Sequence, residues 1–122
     1  MSSNPEKSET KITQKIKNGT LVCYVSGDIT IQNSEDVAAV FTKIAAENHR
    51  KVILNLKDVG YIDSRGLACL VQLSNQLKAI QGILFLCELP VTICTLFEIT
   101  NLNKVIKIYE TENDALQDLY GQ

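Results

Sequence analysis

Apolar residues change period several times along the chain, and each change marks a new element. Ile12 and Ile16 flank polar residues and lead to Asn18-Gly19, a turn dipeptide, after which Leu21-Val22-Cys23-Tyr24-Val25 is nearly all apolar. This predicts a hairpin entering a sheet, with Gly27-Asp28 closing its second strand. Val37, Val40, Phe41, Ile44 and Ala45 then recur at helical period behind Asn33 or Ser34, either of which suits an N-cap. Glu35 and Asp36 fall in the first turn, where the helix dipole favours negative charge, and the helix is expected to end near Asn48. Val52-Ile53-Leu54-Asn55-Leu56 is short and nearly all apolar, the pattern of a central strand covered on both faces.

Leu70, Leu73, Leu77 and Ile80 form a second helical stripe behind Asp63, and Gly82 suits a left-handed C-cap for it. Ile83-Leu84-Phe85-Leu86-Cys87 reads as another buried strand. Pro90 suits the first turn of a helix carrying Ile93, Leu96 and Phe97, with Asn101 as a left-handed exit. Val105-Ile106-Lys107-Ile108-Tyr109 is a last strand, and Thr111 with Asp114 starts a terminal helix carrying Ala115, Leu116 and Leu119. A hairpin followed by strand-helix alternation predicts an α/β fold: a mixed sheet with parallel central strands, right-handed crossovers and about four packed helices. Residues 12–120 are expected to form this domain. Residues 1–11 are polar, include Pro5 and cannot bury much apolar area, so a flexible tail is expected there.

Composition narrows the function more than the fold. A chain of 122 residues with 45% hydrophobic content is the size of one domain. Twelve basic side chains against 14 acidic ones leave a net charge of −2, which lacks the basic footprint of a nucleic-acid binder and favours a protein partner or small ligand. No apolar run approaches the roughly 20 residues of a membrane span, and Met1 to Thr10 lack the apolar core of a signal peptide, so a cytoplasmic protein without membrane contact is expected. Cys23, Cys69, Cys87 and Cys94 stand far apart in apolar or helical contexts, which suggests reduced core residues. His49, the single histidine, sits among polar residues, so neither a metal site nor a histidine-dependent nucleophile is expected, and no cofactor.

The candidate chemistry lies in Tyr61-Ile62-Asp63-Ser64-Arg65-Gly66-Leu67, where a strand passes into the second helix. Asp63 is placed to cap the backbone N–H of Arg65 or Gly66. Ser64 would start the helix, its hydroxyl beyond the sheet edge beside backbone donors that tolerate a phosphate's charge. Gly66 either keeps the first turn open to a visitor or is admitted for packing.

The run from Val52 through Asp63-Ser64-Arg65-Gly66-Leu67 resembles the signature of the STAS anti-sigma-factor antagonists: apolar strand, linker, then Asp-Ser-x-Gly-Leu. The likeness continues through Gly27-Asp28-Ile29, Gly82 and the strand after it, Leu96-Phe97-Glu98-Ile99-Thr100-Asn101-Leu102, and Ala115-Leu116. It implies a STAS-type mixed sheet and a protein that is ligand and substrate rather than enzyme. Its partners would be an anti-sigma factor with serine kinase activity, which phosphorylates Ser64, and a PP2C-type phosphatase. Asp28, Asp63, Ser64, Arg65, Gly66 and Leu67 would form the partner-binding site. Four positions depart from the common pattern: Arg65 where many phosphorylated members carry a second serine, Ala68 and Asn101 for frequent glycines, and Thr30 for a frequent acidic residue. The alternative is a STAS domain that is never phosphorylated and serves as a regulatory or scaffold subunit of a signalling or transport complex.

Overall fold

Asn18 and Gly19 both take positive φ, 50° and 81°, and turn the chain back on itself. They join strand β1 (Lys11–Lys17) to β2 (Thr20–Ile29) as an antiparallel hairpin. The computed structural model describes residues 10–120, in which helix α1 (Ser34–Ala46), strand β3 (Lys51–Ile62), helix α2 (Ser64–Ala79), strand β4 (Ile83–Cys87) and helix α3 (Val91–Ile99) follow. A short 3-10 turn (Leu102–Lys104), strand β5 (Lys107–Tyr109) and helix α4 (Glu112–Tyr120) complete the order. The strands lie in the sheet as β1-β2-β3-β4-β5, with β2 through β5 mutually parallel. The α/β architecture with an opening hairpin and four helices is therefore the one predicted.

Side-chain alternation divides the packing. Cys23, Val25, Val52, Leu54 and Leu86 face a core completed by Phe41 and Ile44 of α1, Leu70, Leu73 and Leu77 of α2, and Phe97 of α3. Val22, Ile53, Phe85 and Cys87 face the other side, where Ala115, Leu116 and Leu119 of α4 cover them. Apolar coverage of both faces is why β3 and β4 read as continuous hydrophobic runs.

Several boundaries differ from expectation. Of the expected tail, residues 1–9 lie outside the described residues, whereas Lys11 already pairs with Ser26 across the hairpin. β2 continues past Gly27-Asp28 to Ile29, and β3 runs on to Ile62 because Val59 and Ile62 still face inward between exposed Asp58, Gly60 and Tyr61. Register shifts between Tyr24 and Ser26 and between Gly27 and Ile29 accommodate this extension. Gly82 is not the left-handed residue after α2; Gln81 is, at φ 58°. Glycine is needed at 82 for space, since a Cβ there would lie 2.8 Å from the Arg50 carbonyl oxygen. Pro90 precedes α3 as its N-cap residue, and Asn101 does exit left-handed, at φ 61°. Val105 is excluded from β5 because its N–H, like that of Ile106, is committed to the Leu102 carbonyl at 2.9 Å.

Cys23, Cys69 and Cys87 are buried and unpaired, as read from the sequence, but Cys94 is only half-buried and borders an open cleft with Tyr109 and Lys107. Burial pushes the Cys23 and Cys87 thiols up to about 12, so both stay protonated. His49 is half-buried, 3.7 Å from the Glu47 carboxylate. Among the described residues no helix is long and apolar enough to cross a membrane.

The first residue of α4 ties the back of the sheet together. Glu112 accepts from Lys17 Nζ at 2.5 Å, the Tyr24 hydroxyl at 3.0 Å and Asn55 Nδ2 at 3.1 Å, while its own N–H donates to Glu88. Burial raises the Glu112 carboxyl, but the bonds from Lys17, Asn55 and Tyr24 outweigh it and hold the group below its ordinary 4.5. A depressed carboxyl pKa contributes stability that is complete above the unfolded value and fades as pH falls through the folded one. Glu112→Gln is therefore expected to lose about 1 kcal/mol in urea unfolding at neutral pH. The difference from the unaltered chain should disappear as pH falls through the folded carboxyl's titration, below 4.5.

Candidate functional site

β3 ends at Ile62, and Asp63 takes an extended conformation as the N-cap of α2, the longest helix among the described residues, at 16 residues. Its Oδ1 accepts from the Gly66 N–H at 2.9 Å, and the Leu67 N–H bonds its carbonyl at 2.9 Å. Of the two capping partners left open by the sequence, Gly66 makes the 2.9 Å bond and Arg65 adds a lesser one. The second carboxylate oxygen reaches a different part of the chain: Oδ2 accepts from the Ile31 N–H at 2.9 Å, in the turn between β2 and α1. The Asp63 N–H donates in turn to the Ile29 carbonyl at 3.2 Å. One aspartate thus joins two segments, residues 29–31 and 63–67. The Gly66 bond is the main cause that holds its carboxyl below the ordinary 3.8; desolvation opposes it, and bonds from Ile31 and Arg65 with the Arg65 charge assist.

Ser64 is the first helical residue and is exposed, as is Arg65; the latter's guanidinium makes none of the ion pairs found among the described residues. Leu67 is half-buried. With Tyr61, Asp63, Ser64 and, from α3, Thr92 and Leu96, it borders an open groove of about 550 Å³. Tyr61, which shares the groove, is 57% exposed, and Ile31, whose N–H binds Asp63, is 61% exposed.

Gly66 behaves otherwise than as an opening for a visitor. It is buried, and a Cβ there would stand 2.3 Å from the Ile29 carbonyl oxygen and 2.7 Å from Ile62 Cγ2. The glycine lets the first turn of α2 pack directly on the end of β2, so it shapes the site from beneath. Asp28 is half-buried at the same sheet end, its Oδ1 3.2 Å from where a Gly60 Cβ would be. The fold therefore brings Asp28 toward the segment holding Asp63, Ser64, Arg65 and Leu67. Ile31 was not singled out from the sequence, because its bond to Asp63 uses a backbone N–H that every residue but proline carries. Asn33 or Ser34 was read as the helix cap; Asn33 takes the N-cap position, but its side chain makes no capping bond to α1.

Asp63→Ala removes both side-chain acceptors. Amide hydrogen exchange should then accelerate about tenfold or more at Ile31 and Gly66, with Ile53 and Leu54 in the sheet centre unchanged.

The STAS domain family model matches residues 11–115, so the chain belongs to the STAS domain family. BtrV of Bordetella bronchiseptica, which bears an anti-sigma factor antagonist name, is 29% identical over 105 residues, covering 86% of this chain and 90% of that protein. An anti-sigma factor antagonist from Mycobacterium paratuberculosis superposes with a TM-score of 0.84 at 21% identity, covering 96% of this chain and 97% of that one. The unphosphorylated anti-sigma factor antagonist SpoIIAA gives a TM-score of 0.71 at 17% identity over 92% of this chain and 100% of its own. SpoIIAA of Bacillus is also known in a phosphorylated form, with a TM-score of 0.68. At these identities the three structural likenesses establish the shared fold.

Proposed function

We propose that this chain is an anti-sigma factor antagonist of the bacterial cytoplasm, switched at Ser64. In its unphosphorylated form it binds an anti-sigma factor that is also a serine kinase. Phosphorylation of Ser64 by that partner releases the complex, and a PP2C-type phosphatase restores the binding form. The domain acts as ligand and substrate.

The observation that carries this reading is the setting of Ser64: an exposed hydroxyl at the first position of a long helix, behind an ionised cap and beside an apolar groove lined by Tyr61, Leu67 and Leu96. A kinase needs the hydroxyl exposed, and a partner needs apolar area to bury. The names of the relatives support the anti-sigma assignment, and Asp28, Asp63, Arg65 and Leu67 supply the polar and apolar rim of the contact.

Intact-mass measurement of the protein recovered from its own cells under several stresses tests the modification. A phosphorylated fraction that maps to Ser64 is the expected result. Persistent absence of phosphate, with a partner still bound, would instead make the chain an unphosphorylated regulatory or scaffold subunit.

A further inference from the structure

Asn33 occupies the N-cap position of α1 without using its side chain as a cap. The amide turns back over the preceding residues: Oδ1 accepts from the Thr30 N–H at 2.9 Å, while the Asn33 N–H donates to the Thr30 carbonyl at 3.1 Å. The turn over residues 30–33 is thus closed from both sides. Asn33 Nδ2 moors it further, donating to the Asp28 carbonyl at 2.8 Å and to the Thr10 hydroxyl, which itself donates to that carbonyl. This turn holds out the Ile31 N–H that binds Asp63 Oδ2. The Ile29 carbonyl just before it receives the Asp63 N–H and is the surface on which Gly66 rests.

We infer that Asn33 is a positioning residue for the Ser64 site, acting through the turn it closes and the Asp63 carboxylate that the turn orients. The path is short and continuous: Asn33 fixes residues 30–33, Ile31 fixes one oxygen of Asp63, and the other oxygen fixes the helix turn that begins with Ser64. A loosened turn takes the Ile31 bond from Asp63 and leaves its carboxylate held only from the helix side. Ser64 then samples more orientations, so the hydroxyl is aligned less often for phosphoryl transfer. The inference rests on reading Ser64 as the modified residue, but its structural half stands apart from that reading.

The test uses full-length Asn33→Ala, Asp63→Ala, the double variant and the unaltered chain. Carbon-detected titration of the Asp63 carboxyl reads the structural half: in Asn33→Ala its midpoint should rise toward the ordinary 3.8, and the Ile31 amide should lose protection. Ser64 phosphate occupancy in the protein's own cells, by intact mass, reads the functional half: it should fall about tenfold in Asn33→Ala. Adding Asn33→Ala to Asp63→Ala should lower occupancy no further, because the effect passes through Asp63. If Asn33→Ala does not fold, Thr10→Val, which removes one mooring contact, should show the same changes at smaller size. An unmoved Asp63 midpoint with a protected Ile31 amide overturns the inference whatever happens at Ser64. Additive losses in the double variant overturn it too, since Asn33 would then act by another route. An unphosphorylated parent chain refutes the modification instead, and the Asp63 titration still decides the role of Asn33.

Discussion

Gly66→Ala should destabilise the fold by about 3 kcal/mol, at the upper end of what overpacking a well-filled interior usually costs. The added methyl meets the Ile29 carbonyl oxygen at 2.3 Å, which is backbone within a paired strand, and Ile62 Cγ2 at 2.7 Å. A flexible side chain could swing away, but β2 is hydrogen-bonded to β3 at this point and cannot. Relief therefore requires α2 to lift from the sheet, which stretches both Asp63 contacts. A fall in melting temperature of about 10 °C, measured by calorimetry, would accompany it. Ser64 would move with the helix, so partner binding should weaken by more than the loss of folded protein accounts for. A melting temperature within about 2 °C of the parent would contradict the close-packing account.

The second large effect is expected from phosphate on Ser64. The modification adds nearly two negative charges at an exposed position beside Asp63, already ionised. A charge buried without a partner in an interface costs about 2 to 5 kcal/mol, which at about 1.4 kcal/mol per decade weakens binding roughly thirtyfold to several thousandfold. Two features oppose this. The helix N-terminus offers about 0.3 to 1 kcal/mol, but it stabilises the free phosphoprotein as well and so does not rescue the complex. Arg65 adds about 0.2 to 1 kcal/mol as an exposed neighbour. Neither reaches the desolvation cost, so release wins. Ser64→Ala should keep the affinity of the unmodified protein, and Ser64→Asp, with one charge instead of nearly two, should lose less than authentic phosphate does.

The sequence showed the site's outline but little of its support. Asp63 before Ser64 at the head of an apolar stripe is a local signal, because capping depends on residue type and on a spacing of two or three. The alternation of strand and helix is local too, and so was the order of elements. What supports the site from elsewhere in the chain was hidden. Gly66 is constrained by Ile29, a residue distant in sequence, and nothing near Gly66 distinguishes that need from an open turn. Ile31 acts through its backbone, so its side chain carries no sign of the bond to Asp63. Asn33 has the right identity for a cap, and only the fold shows its amide used for a turn. The end of β3 was missed because Lys57, Asp58 and Gly60 make the stretch look like a linker until β2 is seen pairing beside it.

On the proposed reading, Arg65 bears on which kinase would accept the site. A guanidinium directly after the serine changes the charge met by an approaching active site, so kinase preference should depend on it more than partner affinity does.

The most direct test of the switch compares binding of the captured anti-sigma partner to two preparations of the full chain, one unmodified and one carrying authentic phosphate on Ser64 alone, by titration calorimetry. A dissociation constant raised by roughly thirtyfold or more in the phosphorylated preparation is the predicted result. Equal affinities would contradict it.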